Sequence, residues 1–131
     1  MVPDRRRDGA ARTCADRYPL GPMAPLPPLA VLLAAPPEAK GAQAAMARAA
    51  EAAAGGRRVR VLLSAEGLAW AAEAYRETLA GLPDVAVCSR NAREASWTAE
   101  STPAGVRWSS VATWLAELDA DGRSALWAVL P

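Results

Sequence analysis

The stretch VAVCSRNAR, Val85 to Arg93, places a cysteine where an apolar run gives way to a polar segment with two arginines. A thiol there can act as a nucleophile if it is held as thiolate. The protein contains no histidine. That removes Ser-His-Asp and Cys-His catalysis, most zinc sites and a neutral-pH imidazole base. Activation of Cys88 must therefore come from backbone amides and from Arg90 and Arg93. If residues 89–92 begin a helix, its free amides and its dipole favour the thiolate. The position fits a small buried hydrophobe equally well, because free cysteine is among the most buried residue types. Other nucleophiles are weaker candidates. Ser64 and Ser110 lack a base, Ser109 and Ser110 are more simply helix caps, and Glu66 in SAEG (64–67) is a lone carboxylate near a turn.

These residues need a frame to position them, and the hydrophobic pattern supplies one. LAVLLAA (29–35), RVRVLLS (58–64), VAVC (85–88) and SALWAVL (124–130) read as strands, the first and last of them buried, and GVRW (105–108) can be a short fourth strand. Between them, Glu38 to Ala54 is alanine-rich and helix-prone, with Gly55 and Gly56 as its stop. Leu68, Ala72, Tyr75 and Leu79 fall on one helical face, as do Val111, Trp114, Leu115 and Leu118. Asn91 to Trp97 suits a short helix. Strand-helix alternation predicts a single α/β domain over 29–131, doubly wound, with a mainly parallel sheet of four to five strands and flavodoxin-like layering. Ligand crevices in such sheets lie beyond the carboxyl ends of the strands, near a reversal of strand order. Cys88 and the SAEG turn share that edge.

Composition narrows the function classes. With 131 residues and a net charge of +1, the chain is long enough for one core and lacks the basic field of a nucleic-acid or membrane-surface binder. No segment approaches a membrane span. Residues 1–28 hold six of the eleven prolines and five arginines against three aspartates, which predicts a disordered leader, with Met23 as an alternative start. Cys14 and Cys88, far apart and without CxxC spacing, suit a reduced cytoplasmic protein better than a disulfide scaffold. Gly55-Gly56 lies between helix and strand, so it is punctuation and not a phosphate cradle, and no nucleotide motif is present. No metal or cofactor is expected. Trp97, Trp108, Trp114 and Trp127 suit core or subunit interface, and five tryptophans in so small a domain predict a homo-oligomer.

LAVLLAAPPE, AAMARAAEAAAGGRRVRVLLSAEGL, VAVCSRNA and GVRWSSVATWLAEL occur in the order seen in the DsrE/DsrF-like sulfur-relay family, which includes TusD-type subunits. The chain from Leu29 to Leu130 resembles that family, most specifically in the EGL turn (66–68) and the strand-end cysteine. The resemblance implies that Cys88 carries sulfane sulfur as a persulfide between a donor and an acceptor protein, without a cofactor. It also implies a trimer or hexamer. Ser89, Arg90 and Asn91 after the cysteine, with Glu66 and Gly67 in the facing turn, are the candidate binding residues. The competing reading is a non-catalytic binding or assembly subunit of the same fold, with Cys88 structural.

Overall fold

A computed structural model describes residues 26–131. Five strands form one all-parallel sheet: β1 (Leu29–Leu33), β2 (Val59–Leu63), β3 (Val85–Cys88), β4 (Val106–Ser109) and β5 (Ala125–Val129). The order across the sheet is β4-β3-β2-β1-β5. The chain therefore steps outward from β1 to β4 and then returns to the far side of β1. Right-handed crossovers place the three outward connections on one face and the return on the other. The expected α/β class and parallel sheet are what the chain adopts.

The first face is well covered. Helix α1 (Lys40–Ala54) lays Ala42, Ala45, Met46 and Ala49 on Leu29, Val31, Leu33, Val59, Val61 and Leu63. Alanines at helical spacing let the helix approach the branched residues of the strands closely. Each larger side chain buried here stabilises the fold by about 1.5–3 kcal/mol. The next connection is not the single amphipathic helix that its pattern predicts. Two 3₁₀ segments, Ala65–Ala71 and Glu73–Tyr75, run into a short helix α2 (Arg76–Ala80). Ala72 is extended, with ψ 155°, and interrupts the helical ladder. Leu68 and Leu79 are buried as expected, but Ala72 is exposed and Trp70, which the helical pattern does not select, fills the core. After β3 comes helix α3 (Ser89–Glu94), which starts directly on Cys88 and ends short of Trp97.

The second face is covered by one helix, α4 (Val111–Ala120), on the return from β4 to β5. The Ser110 hydroxyl caps it by accepting a 3.0 Å bond from the Thr113 amide. Trp114 and Leu118 are buried against Ala30, Leu62 and Ala86, with Val111 at the margin. Leu115 departs from the expected face and is exposed.

Polar groups finish the attachment. Arg60 Nε donates to Asp121 at 2.7 Å, and its Nη1 reaches Asp84 at 3.0 Å and Glu117 at 3.1 Å. Arg107 bonds the same Asp84 at 3.1 Å and Glu117 at 2.7 Å. Arg58 adds a 3.1 Å pair to Asp121. The hydrogen bond from Arg60 holds the Asp121 carboxyl below the usual carboxylate range, with Arg58 adding to the effect and desolvation opposing it. The Arg107 guanidinium is pushed up chiefly by its bond to Asp84, and also by Glu117, against desolvation. Strands β2 and β4 are thus clamped to the end of α4.

The boundary at residue 29 moves slightly. Pro28 accepts a 2.8 Å bond from the Ala125 amide and Pro27 a 2.6 Å bond from Arg57 Nε, so both belong to the fold. The rest of the expected leader, with Cys14 and Met23, lies outside the described residues. The last strand also departs from expectation. SALWAVL does not form a buried strand: β5 is an edge strand exposed along nearly its whole length.

Candidate functional site

Cys88 is the last residue of β3 and the N-cap of α3, with φ −63° and ψ 119°. Four apolar or small residues, Val85 to Cys88, extend between β2 and β4, and the polar SRNARE segment then takes up a helix. That conversion of strand to helix fixes the thiol at the carboxyl edge of the sheet. In register, Cys88 stands beside Ser109 of β4, and strand alternation puts it on the face of Ala86. It is 7% exposed and makes no disulfide, while Ser109 is equally enclosed and turns its hydroxyl to the Ser110 carbonyl at 3.1 Å.

The neighbours divide into two groups. Asn91 is drawn into the site's architecture: its Oδ1 accepts a 2.9 Å bond from the Ala65 amide, and its Nδ2 donates to Glu94 at 3.2 Å. This joins the turn after β2 to the helix after β3, and so brings the Glu66–Gly67 turn beside the Cys88 segment. Ala65 sits in the left-handed region, at φ 49°, where a non-glycine residue is rare. The Asn91 bond helps hold it there. Gly67 is buried because the 3₁₀ segment passes against β1, and a Cβ at this position would run into the Leu33 carbonyl. Its requirement is steric.

The charged candidates stand apart. Arg90 is 84% exposed and pairs with Glu94 at 3.7 Å along its own helix. Arg93 and Glu66 are exposed, and Ser89 is half-buried. The structure therefore joins Cys88, Asn91 and the Gly67 turn on one edge. It gives no contact by which either arginine neutralises the thiol.

Nor does the strand reversal fall at the cysteine. The order reverses between β1 and β5, and β3 lies two strands away from that point. Surface hollows among the described residues lie elsewhere. One, about 370 Å³, is lined by Pro28, Arg57, Arg58, Pro83 and Asp121 at the amino edge; another is lined by Ala99, Thr102, Val106 and Trp108 beside β4. Among the described residues, no group of three histidine, cysteine or acidic side chains is placed to hold a metal ion. No helix there is long and apolar enough to cross a membrane.

The polar clamp of Arg60, Arg107, Asp84, Glu117 and Asp121 was not among the residues selected from sequence. Its signal is a single arginine set into each of two largely apolar strands, Arg60 in VRVLL and Arg107 in VRWS. Such residues need buried partners.

A five-stranded parallel sheet in the order 4-3-2-1-5, with helices on both faces, defines a small α/β protein. The crystal structure of the ychN protein from E. coli superposes with a TM-score of 0.62 over 78% of this chain and 99% of that one, at 13% identity. The likeness is one of fold. No family model and no curated protein sequence matches the chain.

Proposed function

We propose that this protein is a small sulfur carrier of the DsrE-like type, with Cys88 as the persulfide site. The observation that carries the reading is the placement of Cys88 at the β3–α3 junction, beside a turn tied to it through Asn91. A relay needs a nucleophilic sulfur and no acid-base residue, so a chain without histidine can perform it. The Cys88 thiolate attacks the outer sulfur of a donor persulfide. A sulfur–sulfur bond forms to Cys88, the donor's sulfur–sulfur bond breaks, and the donor leaves as thiolate, with no net oxidation. An acceptor thiolate then takes the outer sulfur by the same exchange. Assembly as a homo-oligomer, with separate donor and acceptor proteins, belongs to this reading.

The near-complete burial of Cys88 supports a second reading, a non-catalytic assembly subunit in which the cysteine only packs. Mass spectrometry after treatment with a low-molecular-weight persulfide separates the two. The carrier gains one sulfur atom on the peptide containing Cys88, and Cys14→Ser gains it as well. If the folded protein acquires no sulfur at Cys88, while the unfolded chain does, the subunit reading replaces the relay.

A further inference from the structure

We infer that β5 is the contact strand of a two-fold interface, with a second copy of this chain adding its own β5 antiparallel to it. The inference does not depend on the chemistry of Cys88. Among the described residues, β5 is bonded on one side only, to β1. The Ala125 amide donates to Pro28 and the Val129 carbonyl accepts from Ala34, so residues 125, 127 and 129 direct their backbone groups inward. By alternation, Leu126, Ala128 and Leu130 direct theirs outward, away from the sheet.

An unpaired edge is ordinarily defended by charges, a proline within the strand or a bulge. From Ser124 to Leu130 there is no charged residue and no proline. The side chains are open as well: Leu126 is 52%, Trp127 38% and Leu130 69% exposed. No helix among the described residues covers the strand on the second face, since α4 packs over Ala30, Leu62 and Ala86.

The occupant is argued from self-complementarity. A two-fold axis through Ala128 sets Ala128 opposite Ala128 of the partner subunit, and Leu126 opposite Leu130 of the partner subunit. These are the outward-directed residues, so each such pair exchanges backbone bonds. On the opposite face the same register sets Trp127 beside Val129 of the partner subunit. Every exposed apolar side chain of the strand then meets another, and no like charges oppose across the junction. Two five-stranded sheets become one of ten.

The test uses the full-length protein. Light scattering at micromolar concentration gives an even number of subunits, and Leu126→Lys halves that mass while leaving the far-ultraviolet circular dichroism unchanged. Ala128→Cys, under mild oxidation, forms a disulfide that peptide mapping assigns to residue 128 of both copies, because a hydrogen-bonded antiparallel pair has a Cα separation of about 5.5 Å, within disulfide range. The exposed Ala112→Cys on α4 gives no such link. A monomeric or trimeric wild type overturns the inference. So does an unchanged mass for folded Leu126→Lys, and so does the absence of the 128–128 link if the lysine variant fails to fold.

Discussion

Asn91 and Ala65, which are 26 residues apart in sequence, are joined by a 2.9 Å bond from the Ala65 amide to the Asn91 carboxamide oxygen. The bond ties the connection after β2 to the helix that begins on Cys88. It also satisfies an amide whose own backbone, at positive φ, is turned away from regular pairing. Asn91→Ala should cost about 1 kcal/mol, the worth of a partly exposed hydrogen bond. Hydrogen exchange checks the local claim: the Ala65 amide should exchange faster while amides of β1 keep their protection.

Gly67→Ala should be worse. The added methyl meets the Leu33 carbonyl, which is fixed in the sheet by the Ser64 amide at 2.9 Å and cannot move aside cheaply. A loss of about 2–3 kcal/mol is expected from forcing the 3₁₀ segment off β1. Chemical denaturation measures it, and a variant as stable as the wild type would show that the segment is loosely held.

At Cys88 the size-matched change is not the mildest. Serine brings a hydroxyl to a position that is 7% exposed, where its hydrogen bond must be found or forgone. Cys88→Ser should lose about 1–2 kcal/mol through desolvation of that hydroxyl. Cys88→Ala should lie closer to the wild type. Comparing the two melting temperatures distinguishes this enclosed site from an open crevice, in which serine would be the better tolerated.

The clamp on α4 predicts an acid limb in the stability profile. Asp121 ionises below the ordinary carboxylate range in the folded protein, because Arg60 and Arg58 bond its charged form. Its contribution is complete above the unfolded carboxylate pKa and disappears as pH falls through the lower folded value. Urea midpoints should therefore change little between about pH 7 and pH 5 and fall below about pH 4. Arg60→Met should lower stability at neutral pH by about 2 kcal/mol, through lost charged hydrogen bonds, and flatten the acid limb. An unchanged slope in acid would place the proton-linked stability elsewhere.

The apolar runs made the sheet legible, since a parallel strand enclosed on both faces can hardly be disguised in sequence. β3 and its terminal cysteine followed from VAVC, and the cap at Ser110 from its place before a helical stripe. The region from Ala65 to Ala80 was less readable. Its helical spacing was real, but the close approach of Gly67 to Leu33 and the extended Ala72 depend on tertiary packing that periodicity does not record. SALWAVL misled for the opposite reason: apolar character signals burial without saying whether the chain itself supplies the cover. At the site, proximity along the sequence suggested that Arg90 would act on Cys88. A helix step carries that side chain to Glu94 instead. The link between Asn91 and Ala65 is a long-range event, and neither residue advertises it.

The pairing of Leu29 with Ala125 has a bearing on how the chain is born. During vectorial synthesis β1 is among the first strands to emerge, and β2 can join it once α1 has formed. Its other flank must wait for β5, the last of the five described strands to be made. Until then the nascent sheet keeps Leu29 to Leu33 with one bare side. The wait grows with sequence separation and leaves an apolar strand available for the wrong neighbour. A ribosome slowed between the codons for β1 and β5 would lengthen that window, so the yield of folded protein should depend on codon choice over that stretch.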